Sequence, residues 1–310
     1  MHPAPSDAPP STDPATGVLG VLKAYVGLTK PRIIELLLVT TFPAMFLAAG
    51  GFPPLGLAVV TFVGGTLSAA SANVFNSVLD ADIDEQMRRT RRRPMVRHQV
   101  SRRAAYAFGV VLGILSTLML GLGANWLSAG LALVAILYYV FVYTVWLKRR
   151  TPQNIVWGGV AGCFPPLIGW TAVTNSIDWP PLVLFAIVFF WTPPHTWAPG
   201  LRYREDYAGV DVPMLPVVRD ARHVARQVVG YSVLTVLTSL TLWPLAGTGW
   251  LYPVVASAAG VWLVREAVGL LVRANAGLQD AALRPMRLFH YSNSYLALVF
   301  IAAAIDPLIF

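Results

Sequence analysis

The chain has 310 residues, 56% of them hydrophobic and only 12% charged, whereas soluble domains carry about 25% charged residues. That excludes an ordinary soluble enzyme and points to an integral membrane protein. A net charge of +8 invites a nucleic-acid reading, but the basic residues gather in alternate loops, so they read as topology signals with no nucleic-acid partner. The single cysteine, Cys163, rules out an intramolecular disulfide and any cysteine-pair metal motif and is assigned to packing.

In chain order, residues 1–17 are rich in Pro, Ser, Asp and Ala and have neither a basic n-region nor an apolar h-region, so they are expected to be a disordered tail rather than a signal peptide. Residues 18–310 form one transmembrane domain. Apolar stretches of the roughly 20 residues needed to cross a bilayer fall at about 33–52, 56–79, 104–122, 128–147, 154–173, 181–199, 224–246, 251–272 and 288–308. The fold class is therefore all-α, a multi-pass bundle of nine transmembrane helices, and the small face Gly158-x-x-x-Gly162 allows close helix contact.

Lys23, Lys30 and Arg32 precede span 1, eight arginines between 88 and 103 follow span 2, and Lys148, Arg149 and Arg150 follow span 4. Five more arginines follow span 6, and Arg265, Arg273, Arg284 and Arg287 lie near the junction of spans 8 and 9. The intervening connections, near 50–57, 123–128, 174–181 and 246–251, hold no Lys or Arg. By the positive-inside rule the N-terminus and the basic loops are cytoplasmic and the C-terminus lies opposite, with the cell (plasma) membrane as the expected location.

The loop after span 2 opens with "NSVLDADIDEQMRRTRRRP", residues 76–94. If the helix continues past the membrane surface, Asn76, Asp80 and Asp84 recur every fourth residue, about 40° apart, and share a face, while Asp82 points away. Two carboxylates on one partly buried face repel each other and require a cation, either Lys or Arg or a divalent metal. Asp80, Asp82 and Asp84 match the first EF-hand ligand positions, but Glu85 stands where glycine is required and Arg91 where the bidentate Glu belongs. Mg²⁺ is instead held by one or two carboxylates together with phosphate oxygens, so an acidic face beside arginines suits a Mg²⁺–diphosphate. The second acidic segment, Glu205, Asp206 and Asp211, would supply the opposite wall. A diphosphate at the surface of an apolar bundle most naturally carries a lipid chain.

The Asn76–Asp80–Asp84 element resembles the aspartate-rich motif of the UbiA superfamily of intramembrane prenyltransferases, and within it the branch that farnesylates haem. The resemblance runs through "LTKPRIIELLLVTT" (28–41), the 76–94 stretch, "LKRRTPQNIVWGGVAGCFPPLIGW" (147–170), "WTPPHTWAPGLRYREDY" (191–207), "PMLPVV" (213–218) and "LFHYSNSYLALVF" (288–300). It implies a nine-helix fold and transfer of farnesyl from farnesyl diphosphate to a vinyl group of haem B, with addition of water, to give haem O. It also implies Mg²⁺ held by Asp80, Asp84 and Asp206, with Asn76 orienting the diphosphate. The chain departs from the pattern at Asp211 and at Pro199-Gly200. Arg88, Arg93, Lys148, Arg149, Arg150, Lys30, Arg32 and Tyr207 are candidates to hold the diphosphate; each also has an ordinary reading, as topology-setting charge or interfacial aromatic. His195, ending span 6, and His290, opening span 9, are the candidates to contact haem, against plain packing. The competing acceptor is an aromatic quinone precursor. A transporter would place its charges near the bilayer midplane, which this chain does not do. The implied partners are farnesyl diphosphate, haem B, the lipid bilayer and a downstream haem O oxidase (haem A synthase).

Overall fold

The computed structural model describes residues 17–310, so the first sixteen residues of the expected tail lie outside it; Gly17 opens the first helix. The described residues are helical, with no strand among them. Helix α1 (Gly17–Thr29) leads into α2 (Pro31–Ala49), and α3 (Leu55–Leu79) runs on into the short α4 (Ala81–Gln86). Next come α5 (Arg102–Gly123) and α6 (Trp126–Leu137), the latter continued by a π-helical stretch, Tyr138–Leu147. The chain returns through α7 (Asn154–Gly158), a 3₁₀ turn and α8 (Phe164–Thr174), then α9 (Trp179–Arg202). Two short helices, α10 (Arg204–Ala208) and α11 (Leu215–Val218), precede α12 (Ala221–Ala246), α13 (Leu251–Asn275) and α14 (Pro285–Ile309).

Among the described residues seven of these stretches are long and apolar enough to cross a membrane, against nine expected. The other two expected spans are helices too: α2, of which the apolar part counted among the described residues is the shorter Leu37–Ala49, and α9, which carries five prolines, His195 and Arg202. The chain is a multi-pass membrane protein, and its helices follow from the solvent: hydrocarbon offers no partners, so each backbone group must be satisfied within its own segment.

The helix ends are set locally. Ser101 Oγ accepts from Ala104 N at 3.2 Å, Asn125 Oδ1 from Ser128 N at 2.9 Å and Asp220 Oδ1 from His223 N at 2.7 Å, each an N-cap. Gly50 and Gly247 end α2 and α12 in the left-handed conformation, with φ of 60° and 64°. At the end remote from the charged loops, buried Asp306 accepts from Gly249 N and, at 2.9 Å, from Tyr252 N, tying the start of α13 to α14.

The bundle closes on itself. Helix α3 packs on α5, α8 on α2 and α6, α12 on α9 and α13, and α14 on α13, α9 and α2. Small residues bring these helices close, and cross-helix hydrogen bonds tie them, as expected where there is no hydrophobic drive between helices. Ser116 donates to Gly64 O and Ser71 to Gly109 O, both at 2.7 Å, while Asn73 Nδ2 donates to Thr29 O at 2.9 Å. Of the Gly158–Gly162 face, only Gly158 meets a neighbour, the Tyr143 ring; Gly162 borders open space.

Candidate active site

The acidic face forms as its spacing predicts. Asp80 sits between α3 and α4 with φ −95° and ψ 8°, yet the ladder continues across it: Asp80 N donates to Asn76 O at 2.9 Å and Asp84 N to Asp80 O at 2.8 Å. Asn76, Asp80 and Asp84 therefore line one cavity of about 220 Å³ at the charged end of the bundle. Asp82 turns outward to an exposed pairing with Arg149, at 2.6 and 2.7 Å. That guanidinium holds the Asp82 carboxyl below its ordinary range.

Both carboxylates on this face are buried, at 1% exposure for Asp80 and 3% for Asp84, so each needs a counter-charge. Asp80 Oδ2 accepts from Lys148 Nζ at 2.5 Å and from Asn76 Nδ2 at 2.6 Å. Asp84 takes Arg93 Nη1 on both oxygens, at 2.7 and 2.6 Å. Lys30 donates to Asn76 Oδ1, which fixes that amide's orientation. Lys30 has the left-handed backbone, φ 53°, that turns α1 into α2. Burial pushes its ammonium down to about 7, helped by Arg93 and Lys148 and opposed by Asp84 and Asp80. Four basic side chains, Lys30, Arg89, Arg93 and Lys148, thus line the cavity against two carboxylates, an excess that suits a polyanion.

Two buried oxygens here have no hydrogen-bond partner: Asp80 Oδ1, with Arg149 Nη2 at 4.0 Å, and Asn154 Oδ1. Asn154 is anchored through Nδ2 to Lys148 O at 3.0 Å, leaving its oxygen among the cavity-lining groups. An all-oxygen donor set with a lone pair to spare on a buried carboxylate fits Mg²⁺. Asp84 fits less directly, because Arg93 already occupies both of its oxygens.

Behind this cavity lie two more. The second, about 250 Å³, shares Tyr139, Tyr143, Ile155 and Thr196 with the first and is also lined by His195. The third, about 160 Å³, shares Tyr139, Leu37, Ala161 and Gly162 with the second and is lined mainly by apolar and small residues, Gly65, Ala69 and Ala72 among them. The π-helical stretch shapes the junction. Its wider winding, with Lys148 N donating to Tyr143 O at 2.9 Å, presents Tyr139, Tyr143 and Lys148 to one tract, as single π turns often do at functional sites.

Other expected residues stand apart. Asp206 is half-buried in α10 and does not line the cavity, whereas its neighbour Tyr207 does, accepting from Arg89 Nη2 at 3.3 Å. No cluster of three or more carboxylate, histidine or cysteine side chains is placed to hold a metal among the described residues. Arg88, Arg32, Arg150 and His290 are exposed and line none of the three cavities. Asp211, flagged as a departure, has φ 51° in the turn after α10. Sequence reasoning missed Arg89, Thr90, Asn154, Tyr139 and Tyr143. Arg89 and Thr90 lie in the quoted 76–94 stretch and Asn154 in the quoted 147–170 stretch, whereas Tyr139 and Tyr143 carried no signal. Cys163 is buried and free, facing Gly159 O at 3.3 Å.

A closed all-helical bundle with a paired-carboxylate, cation-rich cavity opening into an apolar tract is the architecture of an intramembrane prenyltransferase, and the chain belongs to the UbiA prenyltransferase family, which it matches over residues 37–293. Among its relatives is the protoheme IX farnesyltransferase of Cutibacterium acnes, 66% identical, with 93% of this chain and 86% of the relative covered. Similar folds are a digeranylgeranylglyceryl phosphate synthase, with a TM-score of 0.77 at 16% identity over 94% of this chain and 99% of the other. A UbiA homologue from Archaeoglobus fulgidus bound to GPP and Mg²⁺ has a TM-score of 0.60 at 14% identity, with coverages of 90% and 99%.

Proposed function

We propose that this enzyme transfers farnesyl from farnesyl diphosphate to a vinyl group of haem B, forming haem O, as the name of its 66%-identical relative indicates for that protein. The observation that carries this reading is the buried Lys30–Asn76–Asp80–Lys148 network in a charged cavity that adjoins, through shared lining residues, the chamber lined by His195. In this reading the diphosphate sits in the charged cavity, held by Lys30, Lys148, Arg89 and Arg93, with Tyr207 at its edge. Asp80 and Asp84 hold Mg²⁺, with Asn76 orienting the diphosphate. The farnesyl chain runs past Tyr139, which borders all three cavities, toward the chamber lined by Gly65 and Ala72, and the haem occupies the neighbouring chamber beside His195. Asp206, Arg88, Arg149, Arg150 and Arg32 act from outside the cavity, as field and entrance charges, and His290 contacts neither substrate. The basic loops face the cytoplasm, the enzyme resides in the cell membrane, and its product passes to a haem O oxidase.

The chemistry asks for placement more than for acid–base groups. Mg²⁺, when bound, neutralises the diphosphate and so makes it a better leaving group. The lysines and arginines stabilise the charge that grows on the departing oxygen as the allylic C–O bond breaks, and the diphosphate leaves with the electron pair. The terminal vinyl carbon attacks the farnesyl C1, the positive charge moves to the carbon next to the macrocycle, and water captures it with loss of a proton. The apolar walls keep water from the farnesyl cation before that attack. The test supplies purified protein with farnesyl diphosphate and both acceptors, haem B and an aromatic quinone precursor. A farnesylated haem is expected; a prenylated aromatic with unchanged haem would refute the reading.

A further inference from the structure

The middle chamber holds one nitrogen base, His195, and no charged side chain. Its hydroxyls at Thr40 and Thr192 spend their hydrogens on their own helices, donating to Leu37 O at 2.8 Å and Val188 O at 2.7 Å. The imidazole is held from both faces. It stacks on Trp191, with centroids 4.1 Å apart and planes 19° apart, and on Phe289 at 4.6 Å and 27°. Trp191 is itself pinned, its Nε1 donating to Ser292 O at 2.7 Å.

The proton on this ring can be placed. Ser292 Oγ lies 2.8 Å from Phe289 O, a carbonyl oxygen that can only accept, so the single hydroxyl hydrogen is committed there. The same Oγ lies 2.9 Å from His195 Nδ1. With the serine hydrogen spent, that contact needs a hydrogen on Nδ1. A neutral imidazole protonated at Nδ1 carries its lone pair on Nε2, which has no hydrogen-bond partner among the described residues. A ring fixed in plane, with one nitrogen donating to a neighbouring oxygen and the other bare, is the arrangement of a metal-bound histidine.

We propose that His195 Nε2 is an axial ligand to the iron of the haem substrate, and that Ser292 is the positioning residue that keeps the ring in its ligand tautomer. This rests on the haem reading above and adds to it how the acceptor is oriented. The bond is dative, so no proton or electron changes hands. Iron anchored at His195 gives the macrocycle a fixed pivot beside the residues shared with the charged cavity, Tyr139, Tyr143 and Thr196. One vinyl edge can then be held toward the farnesyl C1.

The test is a titration of the full-length protein in detergent with ferric haem B alone, followed by absorption and electron paramagnetic resonance, alongside the product assay. The parent protein is expected to give a histidine-ligated spectrum. His195→Ala and His195→Gln should lose it, and added imidazole should restore it in the alanine variant. Ser292→Ala should weaken haem affinity about 10-fold, the lower end of what outer-shell partners contribute, and alter the ligand-field signature; Ser292→Thr, which keeps the hydroxyl, should recover both. If both His195 variants bind haem with the parental spectrum while the parent still makes farnesylated haem, the ligand assignment is overturned and the function stands. A Ser292→Ala protein with a lower melting temperature but unchanged haem spectrum and affinity overturns the positioning role. A parent that neither binds nor farnesylates haem overturns both.

Discussion

Replacing Asp80 by Asn tests the site with little change in side-chain volume. Asp80 is 1% exposed, its Oδ2 takes Lys148 at 2.5 Å and Asn76 at 2.6 Å, and its Oδ1 has no partner. Two costs follow, and they differ in size. For stability, Lys148 loses its anion, which for a buried hydrogen-bonded partner amounts to about 1–3 kcal/mol. Lys148 keeps 16% side-chain exposure and lines the cavity, so water can replace part of the loss and the lower figure applies. For catalysis, the amide brings no charge to hold Mg²⁺, and losing one such stabilising group at a leaving oxygen costs about 10²–10³ in turnover, roughly 2.7–4 kcal/mol. Asp80→Asn should therefore fold in the membrane with a slightly lower melting temperature and lose turnover at least a hundredfold. The assay measures farnesylated haem against Mg²⁺ concentration, with melting in the same detergent. Parental turnover at limiting Mg²⁺ would refute the reasoning.

Asp82→Asn should change turnover less than about threefold, because its pairing with Arg149 is exposed and such pairs contribute about 0–1 kcal/mol; loss of activity equal to that of Asp80→Asn would break the shared-face argument. Asn154→Leu removes the unpaired cavity oxygen and the amide bond to Lys148 O, so the Michaelis constant for farnesyl diphosphate should rise about tenfold while haem affinity holds. Gly65→Leu adds a side chain where a Cβ meets nothing within 4 Å, inside the apolar chamber; turnover with farnesyl diphosphate should fall more than with a shorter geranyl donor. Gly169→Ala places a Cβ against the Thr41 backbone carbonyl, which cannot rotate aside, and should cost about 1–3 kcal/mol in a melting or denaturation measurement.

The spans were legible because hydrocarbon imposes a length and an apolar composition that any window detects. Helix α9 was the harder span to read, since five prolines, His195 and Arg202 interrupt its apolar run. The acidic face was legible because four-residue spacing converts directly into a shared helical phase, and it correctly turned Asp82 outward. What stayed hidden depends on contacts between distant segments. The Arg89–Tyr207 and Lys148–Asp80 contacts join residues 118 and 68 positions apart, and nothing local distinguishes Arg89 from Arg88. The π-helical winding of "YYVFVYTVWL" has the same apolar, aromatic pattern as an ordinary span, so its role in presenting Tyr139 and Tyr143 could not be read. Ser292 was invisible for a similar reason: its meaning comes from His195, 97 residues away.

The measurement closest to the central claim is the mass of the haem recovered after the purified protein turns over haem B and farnesyl diphosphate in ¹⁸O-labelled water. The account predicts one farnesyl group and one ¹⁸O atom added to the same haem, formed only with Mg²⁺ present. Haem recovered unchanged, while the protein prenylates another acceptor, would contradict it.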